Sequence, residues 1–482
     1  MGWTSKFNET VTVEPAVFLF FLSISIVAVA WPQTLYTKYC WQEYENLTEC
    51  SDSAWEERHP GLQGKTSTLA MYSQLTGFFP VLICVPMMSA YSDKYGLRAA
   101  MLFPFVGGAL SGSVVTLQVV YLDWRPELIL ISPFITGCSG YLALVLMACM
   151  TYVTRDPFVK NTAMRIAVLE ALCSFGYTVG GVIVGPILDW NHGLTIVWLI
   201  NASAFLLAAL DIIFRVRHLP PPTNTADQQE YQERRECSRI RACCNIYLLK
   251  DYVVTVMRPR LNYKRLHIHL ATIGALTIYC ATAGDTSIQF LFLTKEHGLS
   301  NTVYSIWMGA LGASSILGNT VFSYIFTTLY PISDMTFCTL GGISSAIMFG
   351  MMAYAQIPAV FWSLVVFKAF SGLNMIGVRL YVSRAVDRNE QAAGMGYVAT
   401  MQTISSLAGT LIFNYIYPLT LSFWPGVCFS IAGFVAVVTV PFFTVVKWND
   451  MRHGDEWLPI KNDADENANE RITSRSTISG SQ

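Results

Sequence analysis

Apolar residues in this chain come in blocks of about 20, separated by short polar breaks, and that is the length a helix needs to cross a bilayer. The blocks run 16–30, 69–90, 99–121, 128–153, 164–188 and 195–215. After a long polar connector they resume at 267–293, 303–327, 336–354, 359–386, 392–417 and 426–447. The pattern predicts an all-α membrane protein with twelve transmembrane helices in two six-helix bundles. The expected units are an N-terminal bundle (1–215), a cytosolic connector (216–266), a C-terminal bundle (267–447) and a tail (448–482). Two bundles joined in this way place a site between them near the midplane, which is a transporter plan.

Composition agrees, with 53% hydrophobic and 13% charged residues. The net charge of −1 hides a sorting of sign. Arg217, Arg234, Arg235, Arg239, Arg241, Lys250, Arg258, Arg260, Lys264 and Arg265 crowd the connector, and Lys94, Arg98, Arg155, Lys160, Arg384 and Arg388 fall in loops on the same face. Lys and Arg this dense beside spans mark the cytosolic face, so both termini are expected there. The balance of charge argues neither for nor against nucleic acid, and no such partner is expected. Glu9 and Glu14 precede the first block where a cleavable signal would be basic, so that block reads as a retained span. The tail, acidic and rich in Ser and Thr, is too polar to bury itself.

On the opposite face the first loop carries the sequon Asn46-Leu47-Thr48 between Cys40 and Cys50, which predicts glycosylation at Asn46 and permits pairing of the two cysteines. Most of the other cysteines fall in or beside apolar blocks and read as small core residues. Cys237, Cys243 and Cys244 sit among connector arginines without the spacing of a zinc site; reversible acylation is the alternative.

Ionisable residues inside spans are the sharpest signal, because a charge near the bilayer centre costs on the order of 2.5 to 3.5 kcal/mol by the mildest scale. The block 359–386 carries Lys368 and Arg379. Eleven residues apart, they should lie about 20° from one another on a continuous helix, facing one interior surface. Lys368 could instead snorkel or hold two helices together. Arg379 lies too deep to snorkel comfortably and is a candidate substrate-binding cation. Glu170 is a buried acid five residues after Arg165, where it could exchange a proton, pair with Arg165 or pair with another helix. Asp285, in the run Cys280-Ala281-Thr282-Ala283-Gly284-Asp285, is a second acid at depth. Asp211 beside Arg215 reads as a surface pair, and His267 and His269 as interfacial residues. No Walker loop, zincin helix or nucleophile elbow occurs, so hydrolysis of nucleotide, a metal centre and enzyme catalysis are not supported. The lone charges form no ring or filter of the kind a channel uses.

Between the second and third spans reads Ser89-Ala90-Tyr91-Ser92-Asp93-Lys94-Tyr95-Gly96-Leu97-Arg98. It resembles the signature loop of the major facilitator superfamily, in which an Asp near a helix end meets cations and a Gly permits the tight turn. Leu97 stands where many relatives have a second base, and the corresponding loop of the second half, Tyr330-Pro331-Ile332-Ser333-Asp334, looks degenerate. The resemblance implies a gating role for Asp93, Gly96 and Arg98.

Three stretches point more closely. Val13-Glu14-Pro15-Ala16-Val17-Phe18, Arg165-Ile166-Ala167-Val168-Leu169-Glu170, and the run from Val378-Arg379-Leu380 through Asn389-Glu390-Gln391 to Phe413-Asn414-Tyr415-Ile416-Tyr417-Pro418-Leu419-Thr420 resemble the proton-coupled folate transporter and haem-carrier family. The resemblance implies that Arg379 meets substrate, that Glu170 couples the proton, and that a first-loop disulfide joins Cys40 to Cys50. It departs from the family at Cys280, which replaces a histidine used in proton coupling, and in the loop from Lys295 to Thr302, which lacks a usual cysteine. The sequence therefore leads to a proton-coupled symporter of an organic anion, with no cofactor and H+ as coupling ion. Folate-like, haem-like and muropeptide-like solutes remain open, as do the plasma and lysosomal membranes. In the expected cycle Arg379, with Lys368, attracts the anion while Glu170 and Asp285 bind and release the proton. The alternative is a transport-inactive receptor or scaffold with the same fold.

Overall fold

The computed structural model describes residues 12–44, 60–156, 162–188, 190, 192–216, 247–260, 263–297, 301–354, 358–420, 424 and 426–453. Asn46, Cys50, most of the connector and the tail lie outside them. Among the described residues there is no strand. That follows from the solvent: in a bilayer a backbone must satisfy its own N–H and C=O groups, and a helix does so within one segment.

The first half consists of α1 (Glu14–Tyr44), α2 (Pro60–Tyr95), α3 (Arg98–Val120), a fourth rod split into α4 (Ile131–Cys138) and α5 (Tyr141–Arg155), α6 (Thr162–Leu188) and α7 (Gly193–Arg215). A connector helix, α8 (Tyr247–Met257), precedes the second half. There follow α9 (Lys264–His297), α10 (Asn301–Leu317) with two π-helical turns to Leu329, α11 (Asp334–Tyr354), a rod split into α12 (Pro358–Ser371) and α13 (Leu373–Ala385), α14 (Gln391–Thr420) and α15 (Val427–His453). The described residues thus form the twelve expected rods. Ten are long and apolar enough to cross a membrane. The others are the 301–329 rod and α14, whose Gln402, Thr403, Ser406 and Thr410 face a cavity rather than lipid.

Two rods are broken where continuous spans were expected. Gly140, in the left-handed region at φ +78°, ends the fourth rod's first segment. In the tenth rod the break falls at Gly372, where a Cβ would lie 2.2 Å from the Asn319 side-chain oxygen. Gly372 keeps right-handed helical angles (φ −68°, ψ −22°), so Lys368 and Arg379 lie on one rod interrupted at that residue.

The packing divides unevenly along the membrane normal. At the end where α8 lies, here the connector end, one apolar core runs through both halves, joining Met88, Met147 and Val153 to Leu380, Met395 and Val398. At the far end there are two separate cores. One, around Ile26, Leu35 and Trp198, belongs to the first half, and the other, around Ile288, Trp307 and Phe429, to the second. The halves share one core at the connector end and keep separate cores at the far end, where Gly312 of α10 still lies against Thr178 of α6.

Glycine permits the closest crossings of α14. A Cβ at Gly396 would lie 2.0 Å from Ser89 Oγ, across the two halves, and one at Gly409 would lie 2.0 Å from the Cys280 carbonyl oxygen of α9. The second neighbour is backbone and cannot rotate away. Gly409→Leu should therefore lower stability by at least the usual overpacking cost, about 1–3 kcal/mol, seen as an earlier loss of the monodisperse peak in detergent thermal-shift chromatography. An unchanged profile would contradict this crossing.

Candidate functional site

At the connector end, acids and bases tie the halves together. Asp93, at the end of α2, pairs with Arg155 at the end of α5, and both side chains are almost wholly buried. The same carboxylate accepts the backbone N–H groups of Ala392 (3.0 Å) and Ala393 (2.9 Å) in the first turn of α14. These are orphan donors at the positive end of a helix dipole, so a carboxylate there is favoured by up to ~2 kcal/mol when partly buried. Around this cap, Lys94 meets Asp251 of α8 at 2.5 Å, while Arg258 and Arg260 both engage Glu390, the latter at 2.9 Å. Connector and both halves are thereby clamped.

Gly96 takes φ +97°, as the tight turn between α2 and α3 requires. Arg98 points elsewhere than the signature loop suggested: its Nη2 donates to the Ile213 carbonyl of α7 at 2.7 Å, a bond within the first half. The second-half loop is less degenerate than its sequence looks, since Asp334 pairs with Arg384 at 3.1 Å. That pair occupies the place in the second half that Asp93 and Arg155 occupy in the first, with the cation again at the end of a split rod.

Deeper in, Glu170 of α6 forms an ion pair with Arg379 of α13, across the two halves. Arg379 is 3% exposed. Pairing of Glu170 with Arg165 does not occur, because Arg165 meets Glu14 of α1 at 2.5 Å and donates to Thr12 at 3.1 Å. Arg379 also donates through Nη2 to Gln402 Oε1 of α14 at 3.2 Å. Gln402 lines the cavity beside Tyr279 of α9.

Lys368 and Asp285 form a second group, within the second half. Asp285 is 4% exposed, accepts from Gln289 Nε2 at 3.2 and 3.3 Å, and feels the charge of Lys368 through space. The two cations thus answer to different acids and do not share one. Asp211 and Arg215 form the expected i,i+4 pair at 3.3 Å. His267 meets Asp450 at 3.0 Å and His269 meets the Tyr397 hydroxyl at 2.9 Å, both at the connector end. Cys40 is buried and disulfide-bonded; Cys50 lies outside the described residues, as does Asn46.

Between the halves lies a cavity of about 440 Å³. The first half contributes Trp31, Phe78, Tyr141, Trp198 and Phe205, and the second Tyr279, Gln402, Thr403 and Ser406. A hydroxyl cluster lines one wall, with Thr136 donating to Ser111 and Ser111 bonded to Ser132, each at 2.7 Å. None of the lining side chains is ionised at neutral pH. Arg379, Glu170, Lys368 and Asp285 are not among them, and the cavity reaches the nearest charge only through Gln402. Gln402 and Arg155 were not legible from sequence as partners, one being a neutral side chain in a Ser/Thr-rich helix and the other one base among many in the loops.

The family model of the Major Facilitator Superfamily matches residues 15–410. The chain belongs to this superfamily. It is 23% identical over 473 residues to the lysosomal proton-coupled steroid conjugate and bile acid symporter of Homo sapiens, covering 95% of this chain and 99% of that one. It is 22% identical over 459 residues to the proton-coupled folate transporter of Bos taurus, covering 87% and 88%. Among solved structures it resembles the human organic anion transporter TETRAN (TM-score 0.66, 15% identity, 89% of this chain and 97% of that one) and the E. coli fucose:proton symporter (0.64, 13%, 90% and 97%). The resemblance drawn from the residues to the proton-coupled folate transporter family is borne out. This major facilitator protein is a multi-pass membrane protein of a transporter family, and its relatives and fold are those of transporters, not enzymes.

The clamp makes a direct prediction. Ser89, fully buried beneath Gly396, should become reactive as a cysteine when the cap on α14 is weakened. Labelling of Ser89→Cys by a soluble maleimide should rise severalfold in the Asp93→Asn background, and equal labelling with and without that change would show that Asp93 does not hold this end shut.

Proposed function

We propose that this major facilitator protein is a secondary transporter that carries an organic anion together with a proton by alternating access. The observation that carries the reading is the Glu170–Arg379 pair, a buried acid and a buried base on opposite halves, one hydrogen bond from the cavity. Removing one partner of a buried pair is unfavourable by about 3–5 kcal/mol, and the guanidinium keeps its charge, so Arg379 needs an anion beside it, which in the empty carrier is Glu170. Protonation of Glu170 releases the guanidinium, and a substrate carboxylate arriving with that proton replaces the lost charge. Return of the proton on the less acidic side re-forms the pair and resets the carrier. Asp285 with Lys368 is a second place where a proton and a cation compensate each other within the moving half.

In this reading the units are those set out from the sequence, and the connector end is the cytosolic face, as its Lys and Arg indicate. The described conformation then opens away from the cytosol and is held by Asp93 and the Gly96 turn. Relatives that carry steroid conjugates, bile acids or folate with protons support an amphipathic anion as substrate, and the aromatic cavity with its hydroxyl wall suits one. A lysosomal or plasma-membrane location fits import from an acidic compartment.

Proteoliposomes test this with radiolabelled glycocholate and folate, both carboxylates, with and without an inward proton gradient. The reading expects gradient-driven accumulation in the native protein. In Glu170→Gln accumulation should fall at least about tenfold, while counterflow exchange persists because the released Arg379 still binds anion. Uptake indifferent to the gradient would reject coupling, and binding without flux would favour a receptor over a carrier.

A further inference from the structure

The guanidinium of Arg379 is sealed from the cavity, and one neutral side chain stands in the way. Gln402 is 7% exposed, lines the cavity, and presents its Oε1 to Arg379 Nη2 at 3.2 Å; Arg379 and Glu170 do not reach the lining. An anion coming through the cavity meets this carboxamide before it meets the cation. Resting on the transport reading above, we propose that Gln402 is the positioning residue of the anion seat: its amide oxygen occupies, in the empty carrier, the place on Arg379 that a substrate carboxylate oxygen takes.

Three features suit it to that task. An amide oxygen satisfies a guanidinium N–H without adding charge, so it prevents a buried donor from going unpaired. A carboxylate brings a full opposite charge and can take two guanidinium N–H groups side by side, which an amide oxygen cannot, so substrate displaces the amide, whereas an acid at this position would not yield. Tyr279 of α9 lines the cavity with it and offers a hydroxyl as partner when the amide swings away. Gln402 also rides on α14, nine residues beyond Ala393 and so about 14 Å along the helix from the Asp93 cap. Displacing it acts on the same rod that closes the connector end, which links occupancy of the seat to the clamp.

The decisive experiment compares Gln402→Met and Gln402→Glu by initial rates of glycocholate and folate uptake in proteoliposomes. Met has the length of Gln without the competing oxygen, so apparent KM should fall about threefold to tenfold, and the tethered carboxylate of Glu should raise it by at least tenfold or abolish uptake. Opposite movements support the seat. A Gln402→Met variant with unchanged or raised KM overturns it, because a purely structural glutamine would weaken transport in both variants. Native protein that carries neither probe counts against the substrate class of the preceding reading, not against the seat, which a second measurement decides without substrate. Glu170→Gln should lower the melting temperature in detergent, and Glu170→Gln/Gln402→Glu should recover at least half of the loss by presenting a carboxylate to Arg379 from the other side. No recovery would place residue 402 outside the seat.

Discussion

One buried pair, Glu170 with Arg379, sets the terms for the rest of the molecule. Each charge alone is intolerable at that depth, and together they lie on helices of different halves, so the contact that makes both charges tolerable also joins the halves. A hydrophobic seam of equal area would do the joining with no way to undo it, since lipid and protein interiors are equally apolar. An ionisable seam can be released by a single proton. Ordinary buried pairs are poor sources of stability, and their value here is that they have two states.

Nearer the connector end, acids and bases again join the halves. The Asp93 carboxylate collects a guanidinium from α5 and two helix-end N–H groups from α14, and Glu390 collects two arginines from the connector. An apolar core continuous through both halves backs these contacts. At the far end neither feature is present among the described residues, and two cores have drawn apart. The cavity lies between these two regions, one hydrogen bond, through Gln402, from the Glu170–Arg379 pair.

Much of this was legible in the sequence for a simple reason: in a bilayer, apolar length and the rarity of charge carry nearly all the information about spans. Twelve blocks became twelve rods, and the Arg and Glu that stood out as misplaced in apolar runs found each other. What the sequence hid was of another kind. Five residues from Arg165, Glu170 had a local partner on offer, and only the fold showed that Glu14 had taken it. Gly372 looked like any of the many glycines in membrane helices, yet it is where Asn319 packs against the rod that carries Lys368 and Arg379. Gln402 carries no charge, so no scale of membrane insertion singles it out; only its place between cavity and guanidinium does.

The pair is the central claim, and its most direct test is a distance between the halves as a function of pH. Spin labels at the exposed positions Trp190 and Tyr354, one on each half at the far end, report that separation by pulsed electron resonance in nanodiscs without any substrate. If Glu170 and Arg379 couple proton binding to the movement of the halves, the native distance distribution shifts between acid and neutral pH and that of Glu170→Gln stays fixed. A Glu170→Gln protein whose distances follow pH as the native protein's do would place the switch somewhere else in the molecule.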